Sequence, residues 1–208
     1  MDRLTGLLDR SAFMQALEEL VAQDVTVTVG VLDVDSFKEL NDVYGHDTGD
    51  RALASLGQRL KVFADQAGGI AARTGGDEFA VALPRVALER GFLEFDRLRR
   101  EMGAEWAASL PKVDGRGLTV SIGVASYPRD ARTAADLVRR AGQALWQAKE
   151  AGRDQVALPS PDEMVLKSSY YTVAQLSRLK RLAEAKNQKE SVLLREALDD
   201  LLRKYDVK

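Results

Sequence analysis

"AARTGGDEFAVAL", residues 71–83, decides the fold, because two apolar runs are joined there by two glycines and two acids. Gly75 and Gly76 permit the positive backbone angles of a two-residue hairpin, and they remove side chains where a ligand must approach. Asp77 and Glu78 then lie at the tightest point, where like charges repel unless a cation stands between carboxylates. Taken alone, the stretch reads first as a plain turn with a solvated acidic rim, and only its neighbours overturn that reading.

Working outward, residues 69–73 and 79–83 form the hairpin strands. Residues 25–33, "VTVTVGVLD", are a β-branched run ending in an acid, which predicts a central strand. Asp33 and Asp77 meet if that strand lies beside the hairpin. Ahead of it, Phe13, Ala16, Leu17 and Leu20 recur at helical spacing behind Ser11, a candidate N-cap. After it, Phe37, Leu40 and Tyr44 predict a short helix, "GHDTGD" a loop, and residues 52–63 a longer helix. Residues 88–110 and 133–151 also read as helices, 118–125 as a buried strand and 155–158 as a short last one. Strands alternating with helices, with one hairpin among them, predict an α/β class fold, a mixed sheet flanked by helices. "PSPDE", residues 159–163, has linker chemistry and separates a domain at 1–158 from a tail at 164–208.

Composition excludes several functions. The chain has 208 residues, no cysteine and one histidine, His46, so disulfides, thiolate metal sites and a histidine-rich metal site within one chain are ruled out. A catalytic metal must rest on carboxylates, which favours magnesium or manganese. No apolar run approaches the roughly 18 residues that cross a bilayer, and the N-terminus lacks signal-peptide character. No membrane partner and a cytoplasmic location are therefore expected. Net charge is −2, but residues 164–208 carry ten Lys/Arg against six Asp/Glu, a basic tail on an acidic body. Such a tail suits a polyanion, or is a solvated helical face.

Five segments in order carry a resemblance: "DRLTGLLDR" (2–10), "DVDSFKELNDVYGHDTGD" (33–50), "RTGGDEF" (73–79), "SIGVA" (121–125) and "ALWQAKEAGRD" (144–154). Together they resemble the GGDEF family of diguanylate cyclases. The resemblance implies a sheet similar to nucleotidyl cyclases and polymerase palms, condensing two GTP into cyclic di-GMP with release of two pyrophosphates. It implies that Asp33 and Asp77 are metal ligands, assisted by the Val34 carbonyl and Glu78, and that Asp77 acts as base toward the ribose 3′-hydroxyl. Phe37, through its backbone, and Lys38 would contact the triphosphate. Lys149 and Arg153, four residues apart and so on one helix end, would do likewise. Asn41 and Asp50 would read guanine, Asp50 accepting from guanine N1 and N2, a donor pair that adenine lacks. His46 would lie beside the nucleotide or pack the loop. The product-inhibition motif of many relatives, Arg-x-x-Asp, is replaced here by Gln66, Ala67, Gly68 and Gly69, so feedback through that surface is not expected.

No sensor domain precedes Asp2, so unless the chain is cut from a longer one, control is expected through the tail. Thr172 and Gln175 make a capping box, Leu176, Leu179, Leu182 and Ala183 mark a first helix, Asn187 ends it, and Val192, Leu193, Ala197, Leu198 and Leu201 mark a second. With a short strand at 165–171 ahead of them, the tail resembles the ribbon-helix-helix DNA-binding family, whose two chains pair strands in the major groove. Lys167, Ser168 and Tyr170 of the strand, with Lys189 and Ser191 at the second helix's start, are the candidate DNA contacts. The resemblance places Tyr171 inward. A dimerisation hairpin that never touches DNA is the alternative, and both imply a homodimer. For the whole chain, the rival to a cyclase is a non-enzymatic transcription factor responding to GTP or cyclic di-GMP.

Overall fold

The computed structural model describes residues 1–159, 169–186, 188 and 190–205. Two compact units, Met1–Pro161 and Asp162–Lys208, are described separately. The first holds β1 (Leu8–Asp9), α1 (Arg10–Ala22), β2 (Val27–Val34), α2 (Phe37–Tyr44), α3 (His46–Gln66), β3 (Ile70–Arg73), β4 (Glu78–Pro84), α4 (Leu88–Glu101), β5 (Val120–Tyr127), α5 (Ala134–Glu150) and β6 (Val156–Ala157). One six-stranded sheet runs in the order β1-β3-β4-β2-β5-β6. The mixed sheet is as expected: β2 is antiparallel to both β4 and β5, while the two-residue edge strands pair in parallel.

Strand alternation divides the core. Leu32, Val34, Phe79, Val81, Leu83, Val120, Ile122 and Val124 point one way, against Leu40 of α2, Leu53, Leu56, Leu60 and Phe63 of α3, and Phe95 and Leu98 of α4. On the reverse face, Val27, Val29, Val31, Ala72, Ala80, Ala82 and Ala125 meet Phe13 and Leu17 of α1 and Leu137, Ala141 and Leu145 of α5. Small residues prevail on that face in β3, β4 and β5, so α5 comes very close. A Cβ on Gly123 would stand 2.0 Å from the Ala141 carbonyl oxygen and 2.1 Å from the Leu145 nitrogen.

Several local expectations change. Asp9, not Ser11, caps α1, its carboxylate accepting from the Ala12 N–H at 2.9 Å; the chain leaves the β1–β3 pairing directly into the helix, two residues earlier. The predicted GHDTGD loop shrinks to Gly45, whose φ of 81° makes the whole turn, and α3 starts at His46. The helix expected to reach residue 110 leaves α geometry after Glu101, passing through a π turn at Met102–Trp106 and a 3₁₀ turn. Its Trp106 is fully buried and donates to Ser55 Oγ of α3 at 2.9 Å. At the decisive hairpin, the Thr74 N–H donates to the Glu78 carbonyl, leaving three residues in the loop rather than two, and neither glycine has a left-handed φ.

In the second unit, α6 (Val173–Lys186) and α7 (Glu190–Tyr205) are the two expected helices. The capping box forms: Thr172 donates its N–H to Gln175 Oε1 at 2.9 Å, and the Gln175 N–H donates to Thr172 Oγ1 at 3.2 Å. Most of the proposed strand, 165–168, and Asn187 lie outside the described residues; Ser169, Tyr170 and Tyr171 have no strand pairing. Among the described residues no helix is long and apolar enough to cross a membrane.

Candidate active site

Antiparallel register places Asp33, at the end of β2, directly opposite Glu78, the first residue of β4. Both expected acidic segments therefore meet at one end of the central strand pair. By alternation Asp33 belongs to the close-packed face, under α5. There the Lys149 ammonium reaches Asp33 Oδ1 at 2.5 Å, with side chains 30% and 15% exposed. Gly123 permits that meeting, because any larger residue would lift α5, and Lys149 with it, off β5.

Burial, above all, and the charges of Asp77 and Asp35 push the Asp33 carboxyl up to about 6 against the opposing pull of Lys149. Asp33 Oδ1 is buried and accepts no hydrogen bond of good geometry, Lys149 being an ion-pair contact. With burial and two neighbouring acids outweighing Lys149, a divalent cation at this carboxylate would offset their repulsion. Among the described residues no three His, Asp or Glu side chains converge as a ready-made cage. Two carboxylates, with a backbone carbonyl such as that of Val34, suit a hard cation that keeps its remaining positions for phosphate or water.

The glycines of the hairpin have another reason than turn geometry. A Cβ on Gly76 would meet nothing within 4 Å, and on Gly75 only Glu78 at an ordinary 3.5 Å. Among the described residues neither backbone conformation nor packing demands glycine there, and the two positions leave open space on the exposed side beside Asp77. Arg73 holds the loop, its Nε and Nη2 donating to the Gly76 carbonyl at 2.9 and 2.6 Å. Its Nη1 lies 3.4 Å from Asp2, which also accepts from the Thr5 N–H and hydroxyl. The sequence reading assigned Arg73 and Asp2 no role; an Arg beside the turn and an Asp before a Thr-Gly bend were the signals available.

Phe37 and Lys38 begin α2, the first half-buried and the second exposed. Asn41 sits one turn later, with Oδ1 buried and without a hydrogen bond. A Cβ on Gly49 would come within 2.0 Å of that oxygen, so Gly49 makes room for Asn41. Asp50 follows on α3 and is exposed, as is His46 at the helix start. Arg153 lies exposed just beyond α5, in the left-handed region with φ 65°. The site thus gathers acids, two cations from the α5 end, and a polar α2–α3 corner around the same end of the sheet.

Residues 1–155 match the family described as "Diguanylate cyclase, GGDEF domain". The chain belongs to that family. The solved coiled coil and GGDEF domain of DgcB from Caulobacter crescentus, in complex with c-di-GMP, has a TM-score of 0.68 and 30% identity over 76% of this chain and 84% of that one. Diguanylate cyclase DgcP of Pseudomonas aeruginosa is 38% identical over 163 residues, 74% of this chain and 23% of that protein. Cyclic di-GMP phosphodiesterase NbdA of the same organism is 37% identical over 160 residues, 74% of this chain and 20% of that protein. The chain spans between 19% and 46% of the length of the curated relatives it matches first. The matched region ends before α6, so the family covers the first unit alone.

Proposed function

We propose that the GGDEF unit condenses two GTP molecules into cyclic di-GMP. The observation that carries this reading is the meeting of Asp33 with the Asp77–Glu78 turn under the Lys149 ammonium. Asp33 and Asp77, with the Val34 carbonyl and Glu78, hold magnesium or manganese. When bound, that cation supplies charge neutralisation on the phosphates and lowers the cost of ionising the attacking hydroxyl. Lys38, Lys149, Arg153 and the Phe37 backbone hold the triphosphate, Gly75 and Gly76 give it clearance, and Asn41 and Asp50 read guanine, with His46 alongside. Asp77 takes the proton from the ribose 3′-hydroxyl. The 3′-oxygen then bonds to the α-phosphorus of the facing GTP as its bond to pyrophosphate breaks, and the partner site repeats the step. Each unit contributes one GTP, so two copies must face each other.

The tail supplies the pairing in this reading. Among the described side chains, α6 and α7 bury only Ala183 and Leu193 and leave Leu176, Leu182, Leu198, Leu201 and Leu202 exposed, which is half of a core. A second copy completes it, as in ribbon-helix-helix dimers, and the linked cyclase units gain effective concentration. The ten basic residues of the tail and the helix N-terminus at Ser191 favour a DNA backbone as the further ligand. Tyr170 and Ser191 are exposed, as such contacts require, whereas Lys167, Ser168 and Lys189 lie outside the described residues.

Incubation with GTP and magnesium should yield cyclic di-GMP and pyrophosphate at a rate rising more steeply than protein concentration. GTP binding without either product would overturn the enzyme in favour of the signal-responsive transcription factor. Leu201→Glu should turn a sedimenting dimer into monomer, and retention of the dimer would remove the tail from that role.

A further inference from the structure

Asp35 is 4% exposed, stands two residues beyond Asp33, and takes no part in the reading above. Its carboxylate accepts from Thr119 Oγ1 at 2.7 Å, from Ser121 Oγ at 2.8 and 3.1 Å, and from the Asp154 N–H at 3.1 Å. Its own N–H donates to the Thr119 carbonyl at 2.9 Å. An ionised carboxylate, which only accepts, suits three donors at once. Three segments are joined there: the β2–α2 turn leading to Phe37 and Lys38, the entry to β5, and the α5–β6 turn that carries Arg153.

The last turn is held in an unfavourable conformation. Gly152, Arg153 and Asp154 have φ of 117°, 65° and 45°, so two residues with side chains lie in the left-handed region. Such backbone persists only when its surroundings over-determine it. Here the Asp154 N–H is taken by Asp35, Asp154 Oδ1 accepts from Arg99 Nη1 at 2.7 Å, and the Arg153 N–H donates to the Ala148 carbonyl at 3.0 Å. No hydrogen bond or ion pair within the described residues fixes the Arg153 guanidinium itself. Its direction therefore comes from the turn. A cavity of about 660 Å³ adjoins it, lined also by Ser36, Glu39, Arg116 and Thr119.

We propose that Asp35 is the positioning residue of the phosphate-binding end, locking the 152–154 turn to the start of α2 so that Arg153 is aimed at the triphosphate. This rests on the GTP reading above. The test compares binding of GTP, supplied as an α,β-methylene analogue whose α–β link cannot be cleaved, with binding of GMP by calorimetry on the full chain with magnesium, since only the triphosphate end depends on Arg153.

Asp35→Ala should weaken GTP about tenfold, the loss of one oriented charged contact, and GMP by less than about twofold. Asp35→Asn should recover most of it, its oxygen accepting from Thr119 and Asp154 and its amide donating to Ser121. Arg153→Ala should cost the same as Asp35→Ala, and the double variant no more than either, because both remove one effect. Equal losses of GTP and GMP, or losses that multiply, would overturn the proposal. If Asp35→Ala does not fold, Thr119→Val, which removes a single donor, should weaken GTP about threefold and spare GMP. Wild-type protein that binds no GTP overturns the nucleotide reading and this inference together; binding without the selective loss overturns the inference alone.

Discussion

The two faces of the sheet divide the labour of the fold. On the α3–α4 face, β4 presents Phe79, Val81 and Leu83 to large partners such as Phe63 and Phe95, whose ring centroids are 5.4 Å apart. On the α1–α5 face the same strand presents Ala80 and Ala82, and β5 presents Gly123. Bulk on the first side buries apolar area. Its absence on the second lets a helix end reach an acidic strand end, which brings Lys149 to Asp33. The face that carries Asp33 and Lys149 is thus the one with less side-chain volume. Conservative changes should be absorbed on the first face and felt on the second.

The largest effect is expected at Asp33. Asp33→Asn removes the proposed cation ligand and should lower the proposed cyclase turnover by a factor on the order of 10³ or more. The same change should stabilise the apoprotein. The carboxyl is raised from 3.8 to about 6 in the folded chain, so the native state holds the proton more tightly than the unfolded one. Its contribution is present below about pH 4 and is lost as pH rises through about 6, a difference of about 3 kcal/mol. Urea unfolding without metal or nucleotide, compared at pH 4 and 7, should show this slope in wild type and its loss in Asp33→Asn. A variant that is inactive and also less stable at pH 7 would mean that Lys149, not burial, sets the energetics of the pair.

Next in size is the contact between α5 and β5. Gly123→Ala puts a methyl group against backbone that no side-chain rotation can relieve, and should cost about 3 kcal/mol or more. Ile122→Val, its neighbour on the bulky face, should cost only about 1 kcal/mol. Denaturant midpoints on both variants settle the contrast. If the two costs are alike, the close approach of α5 is not a property of the backbone.

What was legible in the sequence followed the same division. The β-branched run ending at Asp33, the glycine-acid turn and the basic end of α5 were legible as a central strand, a hairpin and a helix end, because each is a local pattern with a chemical signature. Gly49, Gly123 and Asp35 were legible only as letters within longer motifs. Their roles are set by atoms on other elements, Asp35 being held by donors more than eighty residues away. Hairpin length failed for a local reason. Thr74 and Glu78 pair across the turn, and Arg73 donates to the Gly76 carbonyl, so contacts within the hairpin fix a three-residue loop that glycine content alone assigned as two. The tail was legible as helices, since capping and periodicity are local, but the strand that would reach DNA was a matter of resemblance.

The smallest effect tests whether close packing on the substrate side serves binding rather than stability. Gly49 lies within α3, where alanine is intrinsically favoured over glycine by about 1 kcal/mol. Its added methyl group would meet the end of the Asn41 side chain, which can swing aside, and come within 3.1 Å of the Phe37 ring. Gly49→Ala should therefore leave the unfolding midpoint unchanged or slightly raised. Moving Asn41 should weaken GTP about tenfold and narrow discrimination against ATP, because one guanine contact is lost while Asp50 remains. Competition binding with both nucleotides measures it. Loss of stability together with unchanged discrimination would show that Asn41 is packing and not a base reader.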